Sequence, residues 1–212
     1  MSTAHRMLLE LMQWGAVERT AAGTYHLGEQ VWQWGVATPW ERELRTPAAR
    51  HAHALARQTG VAVSLNVLTA ERLVCLEAIP GQAKNIVQAQ TGQELPLLAT
   101  SSGKILLAGS AGDRVTAALR QGVPRLTPFT PTTPKHILSQ LDKARRDGYA
   151  TAHAEIAIGL ATISVPVDTG TPLLPMAVTL LVPAPAPELT KLAQELRETA
   201  ARISAAIESV RN

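Results

Sequence analysis

The chain carries one cysteine, Cys75, among 212 residues, which excludes an internal disulfide. Val74 and Leu76 place that thiol in an expected strand, where it reads as buried and inert, and no histidine or carboxylate is visibly arranged to activate it. No apolar run approaches the roughly 20 residues that cross a bilayer, and the N-terminus lacks the basic, apolar, small-residue order of a signal peptide. A cytoplasmic protein is expected. Charge of one sign is scarce too: the net charge of +3 permits contact with nucleic acid without arguing for it. There is no internal repeat.

What is present describes a globular protein. Apolar residues make up 46% and charged residues 17% of the chain, a balance that supports an ample core. The length suits one full domain plus a smaller module. All four tryptophans, Trp14, Trp32, Trp34 and Trp40, lie in the first 40 residues. Two modules of different construction are therefore expected.

In the first, Met7, Leu8, Leu11 and Met12 repeat with helical spacing up to Gly15, and Val17 to Arg19 and Thr24 to Leu27 read as short strands around Ala21-Ala22-Gly23. Glu29 to Thr38 reads as a linker helix ending before Pro39, and a second helix runs from Glu43 to Gln58, stopped by Gly60. Val61 to Thr69 and Arg72 to Ile79 read as an antiparallel hairpin. Ile86 to Gln90 and Glu94 to Leu98 are weaker strand candidates. Ser102 to Ala108 and Asp113 to Arg120 read as helices, and Thr133-Pro134 opens another that ends at Gly148. Strands at Tyr149 to Glu155, Ala161 to Val167 and Leu173 to Val182 follow. A final helix carries the apolar stripe Leu189, Leu192, Leu196, Ala200, Ile203, Ile207 and Val210, a pattern that packs on a sheet.

Three constellations carry candidate chemistry. Ser2, Thr3, His5 and Arg6 open the first helix with small hydroxyls and cations that suit base edges and phosphates, and Arg19 on the hairpin suits the sugar-phosphate backbone. An ordinary amphipathic helix and hairpin is the competing reading. In Leu97-Leu98-Ala99-Thr100-Ser101-Ser102-Gly103-Lys104, hydroxyls and a glycine stand at a loop-to-helix junction, where free N–H groups and the helix dipole favour an anion such as a carboxylate. It is not a phosphate loop of the Walker type: Ile105 stands where Ser or Thr is needed, and Leu98 where the leading glycine belongs. A plain helix cap is the alternative there. Glu155, near the bend Gly159-Leu160, is placed to accept a ligand hydroxyl or to be solvated at a strand end. His153 and Glu155 share a strand face as a metal pair would, but two ligands are not a site, and His51 and His53 diverge on their helix. No metal and no cofactor is expected. A hydrolase built on Ser101 or Ser102 lacks a visible base and its orienting partner, so no enzyme is expected either.

The order of these segments resembles the isocitrate-lyase-regulator (IclR) family of bacterial transcription regulators. The resemblance rests on S-T-x-H-R-x-L, G-x-V-E-R…G-x-Y-x-L-G, P-L-x-A-T-S-S-G-K and G-Y-A…E…G-L-A-T-I-S-V-P-V, all in order along essentially the whole chain. It implies an α+β fold: a GAF-like effector domain, an antiparallel sheet flanked by helices, over 41–212, preceded by a partial winged helix-turn-helix at 1–28 and a linker helix at 29–40. It also implies a homodimer or dimer of dimers, operator DNA as a partner, and an effector pocket lined by the loop with Leu98, Ser101, Ser102 and Gly103, by Glu155, and by the strands at Pro166, Thr179 and Leu181. Because Leu181 is apolar, a small organic acid with an apolar body is the expected effector.

A ligand-responsive DNA-binding transcription regulator follows as the leading expectation, and an effector-binding module without DNA activity as the alternative. The family pattern has two helices ahead of the recognition helix, whereas this sequence starts inside that segment. A recognition helix is held by packing on those helices, and a short isolated helix is marginal in water. The chain as given is thus expected to bind operator DNA weakly or not at all. A mobility-shift titration with the DNA flanking its own gene should give no tight, sequence-specific complex, and such a complex would refute the expectation.

Overall fold

The structure is a computed structural model that describes residues 3–69, 72–83, 89–171 and 174–211. It divides into two compact units, Met1–Thr46 and Pro47–Asn212, so the boundary falls a few residues beyond the expected 40/41. In the first unit, helix α1 (Thr3–Gln13) ends at Gly15, whose φ of +67° is easy only for glycine. A two-stranded ribbon follows, β1 (Val17–Arg19) with β2 (Tyr25–Leu27), in the register Val17 to Leu27 and Arg19 to Tyr25. Helix α2 (Glu29–Ala37) forms where a helix is expected over Glu29 to Thr38, and a π-helical segment, Trp40–Arg45, follows it.

The second unit opens with α3 (Thr46–Thr59). The expected hairpin is there: β3 (Ala62–Leu68) pairs antiparallel with β4 (Leu73–Ile79), with a bulge between Leu65 and Asn66. Strand β5 keeps only Glu94–Leu95 of the expected Glu94 to Leu98, because Pro96 has no N–H for the ladder and Ala99 instead donates back to its carbonyl. Of the Ile86 to Gln90 candidate, residues 86–88 lie outside the described residues. Helices α4 (Ser101–Ala108), α5 (Gly112–Gln121) and α6 (Pro134–Asp147) come next. Strands β6 (Ala150–His153), β7 (Leu160–Val167) and β8 (Met176–Pro183) complete a six-stranded antiparallel sheet in the order β5-β4-β3-β8-β7-β6. A short 3-10 turn, Leu189–Leu192, leads into α7 (Ala193–Arg211).

The sheet is covered on both faces, so nearly every residue of β3, β7 and β8 is buried. One face carries α4 and, beyond it, α5 and α6. There Leu68, Leu73, Ile105, Leu107, Ile137, Leu141 and Ala177 form one apolar cluster. Helix α7 lies against β7 and β8. Its expected stripe is real at Leu196, Ala200, Ile203 and Ile207 but ends before Val210, which is exposed. The loss on Ile203→Ala should be about 2–4 kcal/mol by denaturant unfolding, since the fully buried side chain leaves a cavity. Val210→Ala, on the same helix, should stay within about 0.5 kcal/mol.

Candidate functional site

Helix α4 fixes the site. Thr100 caps it, its Oγ1 accepting from the Gly103 N–H at 3.0 Å, and all eight of its residues are buried. Gly103 allows that depth: a Cβ there would sit 1.8 Å from the Leu97 carbonyl oxygen. Gly103 thus packs against the preceding loop.

A cavity of about 300 Å³ lies between the first turn of α4 and the sheet. Its polar wall is made by Ser64, Asn66, Ser101, Ser102, Thr162 and Thr179, and Leu95, Leu126, Ile156, Leu160 and Leu181 supply an apolar wall. Strand alternation produces the polar side. Ser64 and Asn66 on β3, Thr162 and Ser164 on β7, and Thr179 on β8 all turn toward α4, and their hydroxyl and amide groups form one hydrogen-bonded chain. Asn66 Nδ2 donates to Ser64 Oγ at 3.0 Å and to Thr179 Oγ1 at 3.1 Å. Thr179 and Ser164 hydroxyls lie 2.8 Å apart, Ser164 and Ser101 2.7 Å apart, and Ser101 donates to Thr162 Oγ1 at 2.7 Å. The carbonyl oxygen of Asn66 is buried without a partner.

The expected site residues separate accordingly. Ser101, Ser102, Thr179 and Leu181 meet at this cavity. Leu98 packs into the apolar cluster beneath α4 and does not line it. Pro166 is exposed and pairs with Ala177, two positions along β7 from the hydroxyl chain. Glu155 is not among the residues of this cavity: both its carboxylate oxygens sit 2.6 Å from Lys104 Nζ, in a pair that is 1% and 7% exposed at the side chains. Burial pushes the Glu155 carboxyl up and the Lys104 ammonium down, each against the pull of the other. Glu155 lies beyond the end of β6, and Ala154 before it takes φ +54°, so strand alternation does not relate it to His153. Among the described residues no three histidine, cysteine or carboxylate side chains gather as metal ligands. Cys75 is buried and its thiol is pushed up to about 11, mainly by burial.

Of the expected DNA contacts, Ser2 lies outside the described residues. Thr3, His5 and Arg6 are exposed on α1, and Arg19 is exposed on β1 with its guanidinium 5.8 Å from the Tyr25 ring centre. No residue of α1 is buried. Sequence reasoning missed Ser64, Asn66, Thr162 and Ser164. The alternation of polar and apolar residues that marks them was visible, but it reads as a solvent face until α4 is known to roof it.

The family model for the C-terminal domain of the bacterial transcriptional regulator IclR matches residues 39–205. The chain belongs to the IclR family. It is 31% identical over 170 residues to the HTH-type transcriptional regulator XynR of Escherichia coli, a match covering 78% of this chain and 67% of XynR. It is 32% identical over 170 residues to the glycerol operon regulatory protein of Streptomyces coelicolor, covering 78% of this chain and 65% of that protein. The matched part is thus about two thirds of these relatives' length. Among solved structures, an IclR homologue from Microbacterium hydrocarbonoxydans complexed with 4-hydroxybenzoate superposes with a TM-score of 0.89 at 26% identity, covering 98% of this chain and 85% of that one. The α+β fold, an antiparallel sheet flanked by helices, is that of the IclR effector domain.

The buried pair makes its own prediction. Lys104→Met or Glu155→Leu alone strands a buried charge and should cost about 3–5 kcal/mol, whereas the double variant should recover most of that loss. Denaturant unfolding of the three proteins completes the cycle, and additive losses would contradict the pairing.

Proposed function

We propose that this chain is the sensing part of a ligand-responsive transcription regulator, and that its effector is a small organic acid with an apolar body held in the cavity under α4. The observation that carries this reading is the composition of that cavity: hydroxyls and the start of a helix on one side, leucine and isoleucine on the other. The first N–H groups of a helix have no partner within it, and here Thr100 satisfies only that of Gly103 with its side chain, so the first turn favours a carboxylate. The 4-hydroxybenzoate complex of the Microbacterium homologue supports the same ligand class. Effector binding acts by favouring one arrangement of a homodimer, or dimer of dimers, over another, and that arrangement positions the DNA-reading ends. No helix among the described residues is long and apolar enough to cross a membrane, which agrees with work in the cytoplasm beside operator DNA.

Sensing rather than catalysis fits Ser101, whose described hydroxyl partners are Thr162 and Ser164 and include no base that would make it a nucleophile. The reading of an effector module that binds DNA poorly is favoured by α1, which presents Thr3, His5 and Arg6 but buries none of its residues. A thermal-shift screen of carboxylic acids that includes 4-hydroxybenzoate should find a stabilising ligand, because a molecule that binds only the folded state raises its Tm. Ser101→Phe or Ser102→Phe should abolish that shift. Absence of any stabilising acid, or a shift unchanged in both variants, would overturn the assignment.

A further inference from the structure

One arrangement of protons along the hydroxyl chain fits the bond that runs from Ser101 to Thr162. Ser101 gives its one proton to Thr162. The proton between Ser101 and Ser164 must then come from Ser164, and the one between Ser164 and Thr179 from Thr179. Thr179 therefore faces Asn66 as an acceptor only, which requires the NH₂ of Asn66 on that side, as found. With Ser101 donating to Thr162, turning the amide over would leave two oxygens along the chain facing each other with no proton between them. In this arrangement the atom left over on Asn66 is fixed. It is Oδ1, an acceptor, on a residue that is 1% exposed and lines the cavity, and it has no partner. At the other end, Thr162 receives a proton and no described bond uses its own, so the same wall offers a donor there.

We propose that Asn66 selects effectors that carry a hydrogen-bond donor: the ligand is a hydroxylated carboxylic acid whose hydroxyl donates to Asn66 Oδ1. This rests on the reading of the cavity as an acid-binding site. The Thr162 hydroxyl and the first turn of α4 favour the carboxylate, and the amide oxygen distinguishes hydroxy acids from their deoxy counterparts. The selection is a penalty as much as a gain. An acid without a donor leaves this buried acceptor unpaired, whereas a hydroxylated acid satisfies it.

Isothermal titration of the whole chain with two matched pairs, 4-hydroxybenzoate against benzoate and 3-hydroxybutyrate against butyrate, tests the proposal. In at least one pair the hydroxy acid should bind at least about tenfold tighter. 4-Methoxybenzoate, which keeps the oxygen but not the proton, should bind no better than benzoate. Asn66→Leu should shrink the gap to within about twofold, with the deoxy acid binding no more weakly than to the unmodified protein. Deoxy acids binding as well as hydroxy acids in both pairs, 4-methoxybenzoate matching 4-hydroxybenzoate, or a gap that survives Asn66→Leu would each overturn the selection while leaving the acid site standing. If no acid binds at all, the acid site itself fails and the selection with it. The wild-type comparisons decide the matter even if Asn66→Leu does not fold.

Discussion

The close approach of Gly103 to the Leu97 carbonyl is the constraint on which the sensing unit depends. It lets α4 sink until all its residues are buried, and only at that depth does its first turn reach the hydroxyls of β7. The same helix sends Lys104 away from the cavity to Glu155, beyond the end of β6. The Glu155 backbone carbonyl is held in turn by the Thr130 hydroxyl. A glycine, a cap and a buried ion pair thus position one another, and the cavity is what their packing leaves between helix and sheet.

The interior is unusually polar along one line for a core otherwise built from leucine, isoleucine, valine and alanine. Ser64, Asn66, Ser164, Thr162 and Thr179 forgo the apolar contacts that their neighbours on the opposite sheet face make, and a buried polar group is tolerable only when bonded. Within the chain all are bonded, at the expense of one amide oxygen. That concentration of polarity is hard to understand as fold stabilisation, because apolar side chains of similar size would fill the same space. It is what a recognition surface needs, since oriented groups held rigidly by one another bind a ligand without first having to be ordered.

How far the sequence could be read depended on whether the determining contact was local. The start of α6 at Thr133-Pro134 and its stop at Gly148, which takes φ +70°, are decided within a few residues and were legible. So were the β3–β4 hairpin and most of the α7 stripe. Half of the expected effector contacts meet at the cavity, because Ser101 and Ser102 belong to one helix turn and Thr179 and Leu181 to one strand face. The ion pair of Glu155 was not legible because its partner lies 51 residues away in sequence, and no local pattern announces a salt bridge of that span. Asn66 was overlooked because its side-chain amide is held by Thr179, 113 positions away in sequence.

The sheet ends on one side in β5, two residues long, and on the other in β6, four residues long. A long open edge is a template on which another chain can add a strand and begin an aggregate. Here the four longer strands include β3, β7 and β8, each paired on both sides, and β4, which is capped in part by β5. Among the described residues the edges left open are therefore short or interrupted, and this unit offers stray strands little to pair with.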